Sequence, residues 1–109
     1  MANTYKVLGQ SNPAASTDTT LYTVPASTST VVSTINVCNQ DSSPTVFRIA
    51  VRPAGASLAA QHYQCYDVVL PANDTISLTL GMTLATTDVI TVRAGTALVS
   101  FTAFGSEIA

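Results

Sequence analysis

Alternating apolar and polar runs, abundant β-branched residues and closely spaced turn signals predict an all-β fold. The expected architecture is one two-sheet antiparallel β-sandwich of about eight strands, jelly-roll or Ig-like, with an extended N-terminal segment. Thr and Val number 17 and 12 among 109 residues, and both favour the pleated surface of a strand. Runs such as TVFRIAVR and TISLTLG alternate with the period of a strand that buries one face. Clusters of Gly, Pro, Asn, Asp and Ser separate these runs at roughly the 8–12-residue spacing of sandwiches. The length suits a single domain.

The elements follow in order. Residues 1–29 form the extended segment, with short strands at Thr4 to Leu8 and Thr20 to Val24 and residues 30–109 as the sandwich core. SNPAASTDTT between those strands is polar and without periodicity, so the segment reads as an arm or as a long first hairpin. Pro25 ends the second strand, because proline cannot donate to a ladder. In TVVSTINVC, Val31, Ile35 and Val37 share one face and Val32, Thr34, Asn36 and Cys38 the other. Asn39 to Pro44 is a turn. In TVFRIAVR, Phe47, Ile49 and Val51 face inward, and Arg48 and Arg52 face outward with Val46 and Ala50. SLAAQH has the composition of a short helical turn, and a strand runs from about His62 to Val69. After the turn Pro71 to Asp74, Ile76, Leu78 and Leu80 point inward, and Gly81 marks a bulge or corner. Ile90 and Val92 are inward, with Val89, Thr91 and Arg93 outward. Val99, Phe101 and Ala103 share a face of the last strand, and GSEIA is a tail.

Composition excludes several function classes. Charged residues make up 9% of the chain and the formal charge is −2, with four Lys plus Arg. A basic nucleic-acid surface is therefore not expected. No apolar run reaches membrane-spanning length, and MANTYKVLGQ has no apolar signal core, so neither membrane insertion nor Sec export is expected. In that setting Cys38 and Cys65 default to free thiols, with one disulfide possible by number. No metal, cofactor or catalytic residues are expected. His62 is the sole histidine, and no nucleophile elbow accompanies it. Asp18, Asp41, Asp74 and Asp88 sit beside turn residues and read as turn formers.

Arg48 and Arg52, with Arg93 as a third member, form either an interface stripe or a solvated face. The outward positions are mostly Thr, Ser, Ala and Val, and Lys6 is the one lysine. Monomeric sandwiches guard their edge strands with charge or proline. A surface this short of charge predicts association with copies of itself, a trimer being the first guess, or with a partner.

The strings VLGQ (Val7 to Gln10), YTVPA (Tyr22 to Ala26), IAVRPAG (Ile49 to Gly55) and FGSE (Phe104 to Glu107) carry a resemblance that extends over nearly the whole chain. The sequence resembles small β-rich virion structural proteins of tailed bacteriophages, including phages of cyanobacteria. The resemblance implies a non-enzymatic structural protein, assembled in the host bacterial cytoplasm and located in the virion. The expected role is capsid decoration (cement) in many copies, with the major capsid protein as partner. A neck, tail, baseplate or fibre-attachment role is the alternative. The candidate contact residues are Tyr5, Lys6, Val7 and Leu8 of the N-terminal segment, and Arg48 and Arg52. A glycan-binding sandwich is a more distant alternative. It would place aromatics at loop tips, whereas those present fall in strand-like stretches and Trp is absent.

Overall fold

The computed structural model describes residues 3–109; the first two residues of the predicted 1–29 segment lie outside the described residues. Nine strands follow one another: β1 (Asn3–Ser11), β2 (Thr19–Thr23), β3 (Ser29–Asn39), β4 (Thr45–Arg52), β5 (Tyr63–Leu70), β6 (Thr75–Leu78), β7 (Met82–Leu84), β8 (Val89–Ala94) and β9 (Val99–Ile108). They form two sheets. The first runs β1-β9-β3, with β6 and β7 both pairing along the far side of β3; the second runs β2-β8-β4-β5. Every pairing is antiparallel. Among the described residues no helix is long and apolar enough to cross a membrane.

The chain changes sheet at every connection except β4 to β5 and β6 to β7. With β6 and β7 counted as two halves of one strand position, this is the order of an eight-stranded jelly roll. The Ig-like alternative falls, because an Ig fold keeps its first two strands in one sheet and here β1 and β2 lie in opposite sheets.

The core is the space between the sheets. Phe47, Ile49, Ile90, Val92, Val99 and Phe101 are fully buried, as their alternation predicts; Val51, Ile76 and Leu78 pack against them half-buried. Phe47 of the second sheet meets Phe101 of the first edge-on, with ring centroids 6.3 Å apart. Such a pair adds orientation to the apolar burial. Buried Asn39 ties two turns together at one end. Its amide donates to the carbonyls of Ser43 and Pro71, and its oxygen accepts from the Asp41 N–H.

The N-terminal segment is neither an arm nor a hairpin. β1 pairs with β9 and β2 with β8, in opposite sheets. Leu8, Leu21, Tyr22 and Val24 enter the core. Deleting residues 1–19 therefore removes a strand of the first sheet and a core leucine.

Other differences from the alternation have local causes. β3 slips by one residue between Val32 and Thr34 against β9. The extra residue reverses the faces beyond it, so Val32 is buried and Val31 exposed. β1 carries a matching slip between Val7 and Gly9, also against β9. Leu80 is exposed, because the chain leaves the ladder after Leu78 and turns at Gly81, where φ is +63°. Val89 and Thr91 are buried. The segment 53–62 lies beside them: the Arg52 guanidinium joins Thr91 Oγ1 to the carbonyl of Ala56, and Asp88 Oδ1 accepts from the Ala54 N–H. His62 ends a one-turn 3-10 segment, Ala60–His62, so β5 starts at Tyr63. The GSEI stretch continues β9 instead of forming a tail.

Candidate interaction surfaces

Two regions of the surface combine exposed apolar groups with fixed geometry. The first is the outer face of the first sheet. Val7 lies opposite Phe104, and Tyr5 and Val31 both lie opposite Ser106. These side chains alternate with the buried Leu8, Ala103 and Val32, so they share the outward face. Tyr5 is 81% and Val7 47% exposed. The slips in β1 and β3 flank β9 on both sides of Phe104. Tyr5, Lys6, Val31, Ser33, Phe104, Gly105 and Ser106 line a shallow groove there of about 570 Å³.

Beneath the edge of this face the sandwich ends in a polar cluster. Lys6 Nζ lies 2.9 Å from Glu107 Oε1. The Tyr22 hydroxyl, from the opposite sheet, donates to Glu107 Oε2 at 2.5 Å and contacts Thr30 Oγ1 at 2.8 Å. The Tyr22 and Lys6 donors hold the Glu107 carboxyl below its ordinary range. Burial first, and the carboxylate second, push the Tyr22 phenol up to about 12. The one lysine of the chain is thus bound to its own domain.

The second region is the outer face of the second sheet. Arg48 lies opposite Arg93 on the neighbouring strand. Arg48 Nε donates to Asp67 Oδ1 at 2.7 Å and Nη2 to Oδ2 at 3.2 Å, a two-pronged pair. The Arg48 bonds lower the Asp67 carboxyl, and Asp67 raises the guanidinium. The Arg48 guanidinium also sits 4.1 Å from the Tyr66 ring centroid. Arg93 has Asp18 at 3.7 Å. Arg52 is turned onto Thr91 and the carbonyls of Gly55 and Ala56.

The six residues singled out from the sequence therefore do not form one site. Tyr5 and Val7 lie on the outer face of the first sheet, Lys6 reaches the cluster at its end, and Leu8 is in the core. Arg48 and Arg52 lie on the outer face of the second sheet, across the sandwich, and both spend their donors within the domain. Sequence reasoning missed Glu107, placed in a tail, and the pair Tyr66 and Asp67. Tyr63 and Tyr66 fall on opposite faces of a regular strand, and the extra residue Gln64 brings their rings to one face, which alternation alone does not signal.

His62, Asp74 and Asp88 have structural partners, whereas the buried Asn36 Oδ1 has no hydrogen-bond partner among the described residues. His62 is buried, and its Nδ1 accepts from the Ala59 N–H. Asp74 accepts from the Thr75 N–H, and Asp88 from those of Ala54 and Ala85. Cys38 and Cys65 are free, and burial raises the Cys65 thiol, which lowers its thiolate fraction. Comparison with protein-family models, curated proteins and solved structures returns no match.

Proposed function

We propose that the protein is a non-enzymatic structural subunit of a bacteriophage particle, with capsid decoration as its role. The observation that carries the reading is the outer face of the first sheet. A small domain leaves Tyr5, Val7 and Val31 exposed on one face, and the neighbouring lysine is neutralised by its own Glu107. Contiguous exposed apolar surface marks a contact site, and uncharged sheet faces invite association. The motif resemblance to tailed-phage virion proteins supports the same reading. Jelly rolls serve as capsid domains, lectins and cupins alike, so the architecture is compatible with the role without selecting it.

In this role each copy contacts neighbouring capsid subunits and copies of itself, a trimer being the expected oligomer. Contacts that are weak singly become strong when linked, through effective concentration. Binding to the assembled shell and not to its dissociated subunits stabilises the shell by mass action. The sole histidine, His62, is held by a hydrogen bond from the Ala59 backbone N–H to its Nδ1.

Quantitative mass spectrometry of purified particles tests the proposal. A copy number comparable with that of the major capsid protein supports decoration. A number equal to one ring of the neck or baseplate moves the subunit there. Absence from the particle overturns the virion role. Sedimentation of the purified chain tests the oligomer: a stable monomer that also fails to bind particles removes the association argument.

A further inference from the structure

Strand β5 is the free edge of the second sheet, and its register against β4 slips twice, at Gln64 and again at Tyr66 and Asp67. Phe47 pairs with Val68 and Ile49 with Cys65, so Tyr66 and Asp67 together oppose Arg48. Asp67 has φ of +52°, in the left-handed region. A bulge of this kind re-aims a side chain. A non-glycine residue held in this region needs surrounding structure to fix it. Here the two-pronged Arg48 pair fixes it.

Tyr66 points outward next to the core-packed Cys65, and the two slips turn Tyr63 and Asp67 to the same side. Arg48 stands 4.1 Å from its ring centroid, and Tyr63 meets it edge-on at 4.8 Å and 87°. The ring is braced from two directions and is still 57% exposed. Such an aromatic loses little freedom on binding a ligand, which is how rigid anchors contribute affinity. Beside it lies a hollow of about 660 Å³ lined by Asp18, Leu58, Ala59, Ala60, Tyr63 and Tyr66. That volume lies within the range of small-molecule sites.

The lining selects a ligand chemistry. Two aromatic rings and three small or aliphatic residues offer apolar contact. Asp18 is the one charged group of the lining. Its cation, Arg93, is 3.7 Å away, longer than a good charged hydrogen bond, so its oxygens have capacity to accept from a ligand. No cation lines the hollow, and Arg48 next to it is committed to Asp67. Phosphorylated or sulfated ligands would find no partner there. Arg93 beside Asp18 offsets that carboxylate and repels a cationic ligand, so what fits is a molecule with an apolar face, several hydroxyl donors and no charge. We infer that the hollow binds a neutral saccharide, with Tyr66 as the platform for a sugar ring and Asp18 as acceptor for its hydroxyls. The site does not depend on the virion role. It reverses the ground on which strand-borne aromatics looked unavailable, since an edge-strand bulge exposes them as a loop tip would.

Titration of the full chain with glucose, galactose, mannose, N-acetylglucosamine and their disaccharides, followed by calorimetry and isotope-edited NMR, tests the inference. At least one of these sugars is expected to bind with a dissociation constant of about 1 mM or tighter, shifting the resonances of Asp18, Leu58 to Ala60, Tyr63 and Tyr66. Tyr66→Ala should weaken that binding by ~10-fold and Asp18→Asn should weaken it measurably. Tyr66→Phe should retain it, as should Leu98→Ala, at an exposed residue outside the hollow. Circular dichroism establishes that each variant is folded. Silence of the whole panel at about 10 mM, shifts that map elsewhere, or affinity unchanged in folded Tyr66→Ala overturns the site. Preference for a sulfated oligosaccharide over its neutral counterpart overturns the assigned chemistry.

Discussion

Gly105→Ala should be among the most damaging single-methyl changes in this protein. Gly105 sits in β9 between Lys6 of β1 and Val32 of β3. A Cβ built there would lie 2.0 Å from the Val31 carbonyl oxygen and 3.0 Å from the Val32 Cα. Ordinary contact needs about 3.5 Å, so the overlap exceeds an ångström and falls on backbone. No rotamer change relieves it; either the β3 bulge opens or β9 shifts. Overpacking costs about 1–3 kcal/mol, occasionally more, and a backbone clash belongs at the upper end. A domain of this length has about 5–15 kcal/mol in total. A loss of about 3 kcal/mol lowers Tm by roughly 10–20 °C at this size. Gly95→Ala is the internal comparison. Its nearest neighbour would be the Thr45 hydroxyl at 2.7 Å, the end of a side chain that can rotate away, so its cost should be much smaller. Thermal and urea denaturation followed by far-UV circular dichroism measure both. If Gly105→Ala stays within about 0.5 kcal/mol of the parent, or costs no more than Gly95→Ala, the close approach at the β3 bulge is not a constraint and the account of that bulge fails.

Two further predictions concern the core and the polar cluster. Phe101→Ala removes a fully buried ring that contacts Phe47 across the sheets, and urea denaturation should show a loss of about 3–5 kcal/mol. The Glu107 carboxyl is held below its ordinary value of 4.5. The unfolded chain therefore binds more protons at acid pH. The stability from this group is present above pH 4.5 and is lost as pH falls through the lower folded value. Tyr22, raised from 10.0 to about 12, works in the opposite sense: its contribution is present below pH 10.0 and fades as pH rises toward about 12. Urea denaturation of the parent and of Glu107→Gln at a series of pH values checks the acid arm. An equally steep acid loss in Glu107→Gln would show that other carboxylates carry it.

The fold class was legible because strands with one buried face write their period into the chain. Phe47, Ile49, Ile90, Val92, Val99 and Phe101 stand at alternate positions, the first four in the unbroken β4–β8 ladder and the last two in the unbroken stretch of β9 against β3, and each is buried. The two-sheet packing followed from having many such faces to cover. The route of the chain between the sheets was not legible, since alternation tells which face of a strand is buried and nothing about its neighbours. Thus β1 and β2 have ordinary strand composition, and their assignment to opposite sheets is decided by β9 and β8. The arginine stripe illustrates the same limit on the functional side. Period two placed Arg48 on the outward face correctly. It could not show that a bulge in the next strand brings Asp67 to meet the guanidinium, turning a free charge into a brace for Tyr66.

The failure at Val31 has a sharper cause. In TVVST two valines adjoin, so either can be the inward one, and the alternation of Ile35 and Val37 carried backward selects Val31. The extra residue between Val32 and Thr34 changes the parity, and Val32 is buried instead. Nothing in the local sequence demands that residue. The partner strand does: Ser33 Oγ donates to the Phe104 carbonyl, 71 positions away, next to the Gly105 whose missing side chain admits the β3 backbone. β9 keeps its own alternation while both neighbours slip beside Phe104. A bulge set by a glycine on the adjacent strand is a property of the pairing, so neither strand read alone contains it. The consequence reaches the surface, because the same parity change that buries Val32 turns Val31 outward beside Tyr5 and Phe104. The exposed groove of the first sheet thus comes from the long-range pairing of β3 with β9.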